Sequence, residues 1–458
     1  MRPLKDTNWQ VFNGLNRFDK QIVAPVSAGN SPETHALRFE VGRIAGYETH
    51  MKEVKMTNKI ASLYSKTTAG MRHSFIRQIL KVTKGVPDMI SFAGGLPSPE
   101  TFPKDLLADL FAQVIREEGD EVLQYGASDG DRIFKEVIKD FEEVPYLSDD
   151  EIMITVGSTN GIYYFTRTLV DPGDVVVCEA PGFPGSLAAM EACGAKMIGV
   201  EMDELGLVPG QLQATLKELL DKGERVKFLY VIPEFQNPTG KTMDLDRRRR
   251  IIEIAREFDL PILEDQPYRE LRYSGERIIT LWELARTEFK DLKLVTIAKS
   301  FSKILGPGLR LGFAAGPPEM LGPMVKWAQK TTVSPDCATQ RVTARFIQQG
   351  LMRSHIKKII DLYRPRRDAM LEALAHQMPA SVSWTVPEGG MFIWVRFEDG
   401  IDTDALFERA IEQKVAFIPG SKFYPEGTRK TNEMRLNFSY STNEQIHEGI
   451  RRLATLLR

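Results

Sequence analysis

The stretch VKFLYVIPEFQNPTGKTMDLDRRRRIIEIAREFDLPILED, residues 226–265, has the pattern of one strand–helix–strand unit. Its first eight residues and its last five, PILED, are short apolar runs typical of buried strands. Residues 246–260 have helical spacing, with Asp246 as the expected N-cap. The apolar side of this helix is expected to consist of Ile251, Ile252, Ile254 and Ala255. A helix of this length between two buried strands predicts a βαβ unit in a mostly parallel sheet.

The same alternation continues on both sides of this unit. Three further runs have the short, apolar, β-branched character of strands: DVVVCEA (174–180), AKMIGVEM (195–202) and KLVTIA (293–298). Residues 208–223 have helical spacing and lie between AKMIGVEM and the strand-like run at 226–233. In parallel sheets, ligands bind beyond the carboxyl ends of the strands. The residues that follow each predicted strand are therefore the first candidates for a site.

The C-terminal part of the chain has a different pattern. A long helical zone, about 318–376, is followed by strand-like runs, including SVSWTVPEGGMFIWVRF (381–397) with its Gly-Gly turn, and by a final helix. The predicted fold class is α/β, with a three-layer α/β/α large domain around a mostly parallel sheet and a smaller α+β domain. The expected limits are an N-terminal arm at 61–102, a large domain at 103–340 and a small domain at 341–458.

Residues 1–60 differ from the rest because their periodicity is weak and turn-forming residues are frequent. We expect a poorly structured extension there. One interpretation is a mis-assigned start, with the native chain beginning at Met51 or Met56. The other is an arm that reaches a partner subunit.

Composition narrows the class of protein. The 458 residues are 42% hydrophobic and 27% charged with a formal net charge of -2, which favours a globular protein that binds neither nucleic acid nor an acidic membrane. No apolar run has the length of a membrane span or a secretory signal. The three cysteines and six histidines have no metal-ligand spacing, so we expect no metal and a reducing cytoplasm. The four arginines 247–250 are interpreted as one helix's solvated face.

The stretch SFSKILGPGLR (300–310) allows two kinds of chemistry. Ser300 and Lys303 form the S-x-x-K of serine-acylating enzymes, but the S-D-N and K-T-G elements of those enzymes are absent. Residues 240–242, Gly-Lys-Thr, match the end of a P-loop, but the glycine that the motif needs five residues before Gly240 is Phe235 in this chain. The run GPGLRLG (306–312) does not match the dinucleotide-binding fingerprint. The remaining hypothesis makes Lys303 the reactive group, bonded to a phosphorylated pyridine aldehyde.

That hypothesis requires particular side chains at particular places. A carboxylate must face the ring nitrogen, and Asp265 ends a predicted strand, although it could instead cap a helix. Tyr268 and Asn237 could bind the phenolic oxygen, although QNPTG could also be a plain turn. An amino-acid carboxylate needs a cation such as Arg435, although a lone strand arginine is more often a surface ion-pair partner.

The phosphate needs hydroxyls, a helix N-terminus and a permanent cation. The candidates are Ser158, Thr159, Ser300, Ser302 and Arg310. Ser158 and Thr159 could equally be a simple helix cap. Phe183 could stack on the cofactor ring or pack on its own loop.

Together these motifs resemble one family. The quoted runs are ISFAGGLPSPETFP (90–103), LQYG (123–126), VGST (156–159), DPGDVVVCEAPGFPG (171–185), PEFQNPTG (233–240), LEDQPY (263–268), SFSKILGPGLRLG (300–312) and MRLNFS (434–439). From about residue 71 onward the chain resembles the fold type I, pyridoxal-phosphate-dependent aminotransferases of class I/II, closest to the 2-aminoadipate/kynurenine/aromatic group. It departs from that group's pattern at Thr159, and at Phe183, where tyrosine is common.

The resemblance implies roles that the residues alone leave open. Lys303 is then the Schiff-base lysine and proton shuttle, and Asp265 pairs with the pyridinium. Tyr125 is then the residue that reaches the neighbouring subunit's phosphate, which implies a homodimer with shared sites. Arg77 and Gly95 then cover the substrate.

The implied activity is ping-pong transamination. An L-amino acid of 2-aminoadipate, aromatic or branched-chain type donates its amino group to a 2-oxo acid, expected to be 2-oxoglutarate. Fold alone does not exclude a β-lyase, a decarboxylase or a racemase. A silent cofactor-binding protein is disfavoured because no catalytic position is lost. An aminotransferase-like transcriptional regulator is also disfavoured, because the segment before residue 71 has no helix-turn-helix pattern and no basic face.

Overall fold

The computed structural model describes residues 60–71, 73–425 and 430–457. The expected extension at 1–60 and the start at Met51 or Met56 therefore lie outside the described residues, apart from Ile60. The α-helices of the described residues are α1 (Lys66–Gly70), α2 (Phe75–Thr83), α3 (Lys104–Val122), α4 (Arg132–Phe141), α5 (Ser158–Leu169), α6 (Pro184–Glu191), α7 (Pro209–Asp221), α8 (Leu245–Glu257), α9 (Leu281–Thr287), α10 (Pro318–Thr331), α11 (Cys337–Gln348), α12 (Leu351–Gln377), α13 (Thr403–Glu412) and α14 (Asn443–Thr455).

The strands form one large and two smaller sheets. In chain order they are β1 (Ile90–Ser91), β2 (Ile152–Thr155), β3 (Val175–Ala180), β4 (Lys196–Asp203), β5 (Gly206–Leu207), β6 (Val226–Val231), β7 (Ile262–Gln266), β8 (Val295–Ser300), β9 (Gly312–Ala315), β10 (Ser383–Trp384), β11 (Phe392–Arg396), β12 (Val415–Ala416), β13 (Ile418–Pro419) and β14 (Glu433–Asn437).

The large sheet has the strand order β2-β9-β8-β7-β6-β3-β4-β5. The pairs β4–β3, β3–β6, β6–β7 and β7–β8 are parallel, whereas β9 runs antiparallel to β2 and β8, and β5 runs antiparallel to β4. Both faces of the sheet are covered, because alternate residues of one strand enter different core clusters. Val175 and Val177 pack on one side, and Val176 and Cys178 on the other. This confirms the predicted α/β class, a helix-covered and mostly parallel sheet.

The smaller part of the molecule is built on an antiparallel sheet of order β10-β11-β14-β13. Strand β1 pairs in parallel with β12, so the expected arm is joined to this part of the chain. Helix α11 crosses the expected domain boundary at 340/341 and packs on α3 and α4. The limits expected for the parts of the chain stay predictions, and the one at 340/341 lies inside this helix.

Two expectations about α8 are wrong. Asp244, not Asp246, is the N-cap, and its carboxylate accepts a hydrogen bond from the Arg247 amide at 2.8 Å. The arginines 247–250 do not share a solvated face, because successive helical residues point about 100° apart. Arg248 is 0% exposed and pairs with Glu234 at 3.3 Å.

No helix among the described residues combines the length and the apolar character needed to cross a bilayer.

Candidate active site

A buried carboxyl group lies at the carboxyl end of β7. Asp265 Oδ2 accepts a hydrogen bond of 2.8 Å from the Tyr230 hydroxyl on neighbouring β6. Its Oδ1 is buried without a hydrogen-bond partner among the described residues. Burial raises the pKa of Asp265 to about 7, against the opposite effect of the Tyr230 and Ser186 hydroxyls. Asp265 caps no helix, since Thr280 caps the following helix, α9. A buried carboxylate oxygen of this kind is suited to a ligand.

A chain of hydrogen bonds connects the large sheet to β14. The Asn237 side-chain amide donates to the Tyr268 hydroxyl at 3.1 Å, and Asn237 Oδ1 accepts from Arg435 Nη1 at 3.0 Å. Arg435 Nη2 also donates to the Ala93 carbonyl at 2.6 Å. Asn237 therefore does more than complete a turn, because its side chain joins the two parts of the molecule.

Arg435 is a buried cation. It is 1% exposed, lies over the Phe392 ring at 4.3 Å and the Phe423 ring at 5.0 Å, and has no carboxylate within ion-pair distance among the described residues. Its Nε is buried without a partner there. Burial lowers the pKa of Arg435 to about 10, although the nearby Tyr268 opposes this. An arginine held this way is not a surface ion-pair partner, and it is suited to an anionic ligand.

Lys303 ends the 3₁₀ turn Phe301–Lys303 that directly follows β8. Its Nζ donates to the Gly95 carbonyl at 2.8 Å. Burial and the positive charges of Arg435 and Arg310 lower the pKa of Lys303 to about 8. About a tenth of this amine is therefore neutral, and nucleophilic, at pH 7.

A cradle for an anion is formed where α5 begins. Its N-cap is Gly157, which has no side chain to cap the helix, so Ser158 and Thr159 are the first helical residues and not the cap. Arg310 reaches this point and donates to the Val156 carbonyl at 3.1 Å. The hydroxyls of Ser300 and Ser302, 2.9 Å apart, lie at the end of the adjacent strand β8. A helix N-terminus beside a cation and hydroxyls favours a phosphate.

No hydrogen bond among the described residues joins the side chain of Tyr125 or of Arg77 to this site. The Tyr125 side chain is 82% exposed after α3, and Arg77 is exposed on α2. Phe183, partly buried before α6, lies over its own loop, because a Cβ on Gly185 would approach its ring within 2.6 Å. Gly95 takes part through its backbone carbonyl.

Sequence reasoning missed several residues that shape the site, of which Tyr230 and Gly157 are the clearest. A tyrosine near the end of an otherwise apolar buried strand is a usable signal, since a buried hydroxyl needs a partner. Gly157 has φ 78, and an added Cβ would lie 2.6 Å from Arg310 Nη2. A glycine between a strand and a helix that binds an anion is the corresponding signal.

The residues at these strand ends fit pyridoxal phosphate. The free oxygen of Asp265 suits a protonated ring nitrogen, the cradle at α5 suits a phosphate, and the partly neutral Lys303 suits an aldehyde. The fold and the site together define a fold type I, pyridoxal-phosphate-dependent aminotransferase.

Comparison with known proteins identifies the family. The family described as aminotransferase class I and II matches residues 88–453, and the chain belongs to it. The chain is 38% identical over 400 residues to the aromatic-amino-acid aminotransferase 1 of Thermococcus litoralis, covering 86% of this chain and 94% of that protein. It is 35% identical over 395 residues to the 2-aminoadipate transaminase of Thermus thermophilus, covering 86% and 96%.

A solved structure shows the same likeness. The kynurenine aminotransferase of Pyrococcus horikoshii, in complex with PMP, matches with a TM-score of 0.82 and 40% identity over 88% of this chain and 98% of that chain. The protein is an aminotransferase, and its cofactor is pyridoxal phosphate.

We predict that Gly157→Ala weakens cofactor binding. Alanine at φ 78 is strained by ~1 kcal/mol, and its Cβ pushes the Arg310 guanidinium away from the cradle. Titrating the apo-protein with pyridoxal phosphate should show at least a ~10-fold higher Kd. The matched control is Gly173→Ala, with φ 97 and no atom within 4 Å of the added Cβ, which should lower Tm but leave the Kd unchanged. Equal Kd values for the two variants would contradict this role.

Proposed function

We propose that this aminotransferase moves the amino group of an L-amino acid, of 2-aminoadipate, aromatic or branched-chain type, to 2-oxoglutarate by ping-pong chemistry. The observation that carries the proposal is Arg435, a buried cation without an ion-pair partner among the described residues, in the same site as Lys303. The α-carboxylate is common to the amino acid and the oxo acid, so one arginine can bind both in turn. The aromatic and 2-aminoadipate names of the relatives support those donor types.

The cofactor would be held by groups from several elements. Asp265 would face the ring nitrogen, Asn237 and Tyr268 would bind the phenolic oxygen, and Phe183 would cover the ring. The phosphate would be bound by Ser158, Thr159, Ser300, Ser302 and Arg310. When bound, pyridoxal phosphate supplies an aldehyde carbon that takes up the amino group and a ring that accepts the electron pair left at Cα.

The remaining two roles, proton transfer and retention of the ring-nitrogen proton, are assigned to Lys303 and Asp265. The Lys303 amine would attach the cofactor between turnovers, and it would accept the proton from the substrate Cα and hand it on during the transfer of the amino group. Its lowered pKa makes the neutral, proton-accepting form accessible near pH 8. Asp265 would be ionised by the positive charge of a protonated ring nitrogen and would keep that proton in place.

Steady-state kinetics test the proposal. Rates are measured for aromatic, 2-aminoadipate and branched-chain donors, each at several 2-oxoglutarate concentrations. Parallel double-reciprocal lines and an absolute requirement for the oxo acid are expected. Turnover without any oxo acid, with release of ammonia or carbon dioxide, would instead indicate a lyase or a decarboxylase.

The pH dependence of cofactor capture follows from Lys303. Because the pKa of Lys303 is lowered to about 8, its neutral amine is lost as the pH falls below that value. The rate at which the apo-protein forms the covalent link should rise ~10-fold per pH unit up to about pH 8 and then level off. Stopped-flow absorbance from pH 6 to 10 measures it. A rate that still rises at about pH 10 would place the pKa near its ordinary value.

We also propose a cytoplasmic homodimer with shared sites. The exposed Tyr125 supports this, because a tyrosine that is 82% exposed in the segment after α3 is available to a second copy. Mixing Tyr125→Ala and Lys303→Ala subunits under exchange tests it, since the hybrid dimer regains one intact site. About one quarter of wild-type activity is expected from random pairing. Mixtures that stay at the summed activity of the separate variants would contradict shared sites.

A further inference from the structure

A second buried carboxyl group lies near Asp265. Glu179, at the end of β3, is 2% exposed. Its Oε2 accepts hydrogen bonds from the Ile232 amide at 3.0 Å and from Gln236 Nε2 at 3.3 Å. Glutamate is rarely buried this deeply, so a specific arrangement must compensate for the lost hydration. The role proposed above for the site makes no use of Glu179.

Gln236 connects Glu179 to two loops. Its Nε2 also donates to the Pro181 carbonyl at 2.8 Å, in the loop that leads to Phe183. Its Oε1 accepts from the amide and the hydroxyl of Thr239, at 2.9 and 2.7 Å. The loop after β3 and the loop after β6 are therefore tied together through one carboxyl group and one amide side chain.

The second of these loops carries Asn237. Asn237 follows Gln236 directly, and its side chain binds Tyr268 and Arg435. A shift of Gln236 would therefore move the partner of Arg435. We propose that Glu179 is a positioning residue of the transamination site, which through Gln236 fixes the Asn237 loop against the Phe183 loop. This inference rests on the proposed function, because that proposal assigns the roles of Asn237, Phe183 and Arg435.

The protonation of Glu179 agrees with such a role. Its Oε1 is buried without a partner among the described residues. Burial and the negative charge of Asp265 raise the pKa of Glu179 to about 8, against the opposing Ile232 and Gln236 donors. At neutral pH the group is therefore mostly a neutral acid that accepts hydrogen bonds and adds no second charge beside Asp265. A glutamine of the same shape can take its place.

The experiment compares Glu179→Gln with Glu179→Ala. Glutamine keeps an acceptor for both donors, so kcat/KM should stay within ~3-fold of wild type. Alanine leaves Ile232 and Gln236 without their acceptor, and kcat/KM should fall ~10- to 100-fold. The loss should include a higher KM for both the amino acid and the oxo acid, because both bind Arg435. The Kd of the apo-protein for pyridoxal phosphate should also rise ~10-fold.

The matched control is Glu264→Ala. Glu264 is equally buried, on β7, and accepts from the Trp282 amide at 2.9 Å, but it is bonded to neither loop. The Glu264→Ala variant should have a lower Tm, as Glu179→Ala does. Its two KM values and its cofactor Kd should stay within ~2-fold of the wild-type values. If Glu179→Ala does not fold, Gln236→Ala breaks the same link from the other side and should raise the same KM values. In a double-mutant cycle with Glu179→Ala, the two losses should be far from additive.

Three outcomes would overturn the inference. The first is a folded Glu179→Ala or Gln236→Ala variant whose KM and cofactor Kd values equal those of the wild type. The second is a Glu264→Ala variant whose KM and Kd values change as much as those of Glu179→Ala. The third is a Glu179→Gln variant that is as impaired as Glu179→Ala. Measuring wild-type protein in parallel distinguishes a failure of this inference from a failure of the proposed function. If the wild type shows no oxo-acid-dependent turnover, the proposed function fails, whereas an active wild type with unaffected variants contradicts only the role of Glu179.

Discussion

Lys303→Ala should lower kcat by ~10⁴-fold or more, because one amine both attaches the cofactor and moves the proton. The visible absorbance of the attached cofactor should disappear together with the turnover. Both effects follow from the position of Lys303 directly after β8, with its pKa lowered to about 8 beside Arg435 and Arg310. Absorbance spectra and steady-state rates of the purified variant measure them.

Lys299, in the preceding strand β8, provides the matched control. It is also a buried lysine, but its Nζ pairs with Glu142 at 2.5 Å and Glu270 at 3.4 Å, away from the cradle. Lys299→Ala should lower Tm, since it leaves two partly buried carboxylates without their cation, while the remaining folded protein keeps the attached cofactor. A Lys303→Ala variant that turns over without an added amine would contradict the assignment of Lys303. Partial recovery with a small primary amine would support it.

Asp265→Asn should lower kcat/KM by ~10³-fold, since a neutral amide does not hold the proton on the ring nitrogen. The shape of the side chain is kept, so the loss reports the missing charge. We expect the cofactor to remain bound through the phosphate cradle and Lys303. Rate measurements at saturating cofactor, with the Tm of both proteins, separate a chemical loss from a folding loss.

Tyr230→Phe is the control for Asp265. It removes the 2.8 Å hydrogen bond to Oδ2 but leaves the carboxylate. The hydroxyl of Tyr230 lowers the pKa of Asp265, so its removal should raise that pKa and move the acid limb of the rate profile to higher pH. A loss of ~10-fold or less is expected. An Asp265→Asn variant as active as Tyr230→Phe would mean that the charge of Asp265 is not used.

The sheet could be predicted from sequence because its strands are short apolar runs. Val226–Val231 and Ile262–Gln266 lie where the first stretch of sequence placed them, and they pair in parallel. The N-cap of α8 was misplaced because aspartate is preferred at N-caps and both Asp244 and Asp246 meet that preference. Only the backbone conformation distinguishes the two positions. The burial of Arg248 could not be predicted, because its partner Glu234 is brought to it by the fold.

In the site as well, some features could be predicted from the sequence and others depend on how the chain folds. The nearness of Asp265 and Lys303 to one edge of the sheet could be predicted, because the carboxyl ends of parallel strands meet there. Tyr230 and Glu179 are next to last in their strands, as Asp265 is, but the pairing of β3 and β6 with their neighbours decides what these two residues contact. The alternation of apolar and polar residues along one strand does not reveal which polar group on another strand or loop faces Tyr230 or Glu179. Tyr125 is a different case, because a role toward a second subunit is not contained in the contacts of one chain.

The most direct test of the central claim is a half-reaction. The pyridoxal-phosphate-loaded protein is mixed with a single ¹⁵N-labelled amino acid and no oxo acid, and the released oxo acid is quantified. If Lys303 and Arg435 act as proposed, one oxo acid per site should form, the visible absorbance should be lost, and ¹⁵N should be recovered on the cofactor. If the absorbance stays unchanged with every donor, or oxo acid forms continuously with release of ammonia, transamination at this site is contradicted.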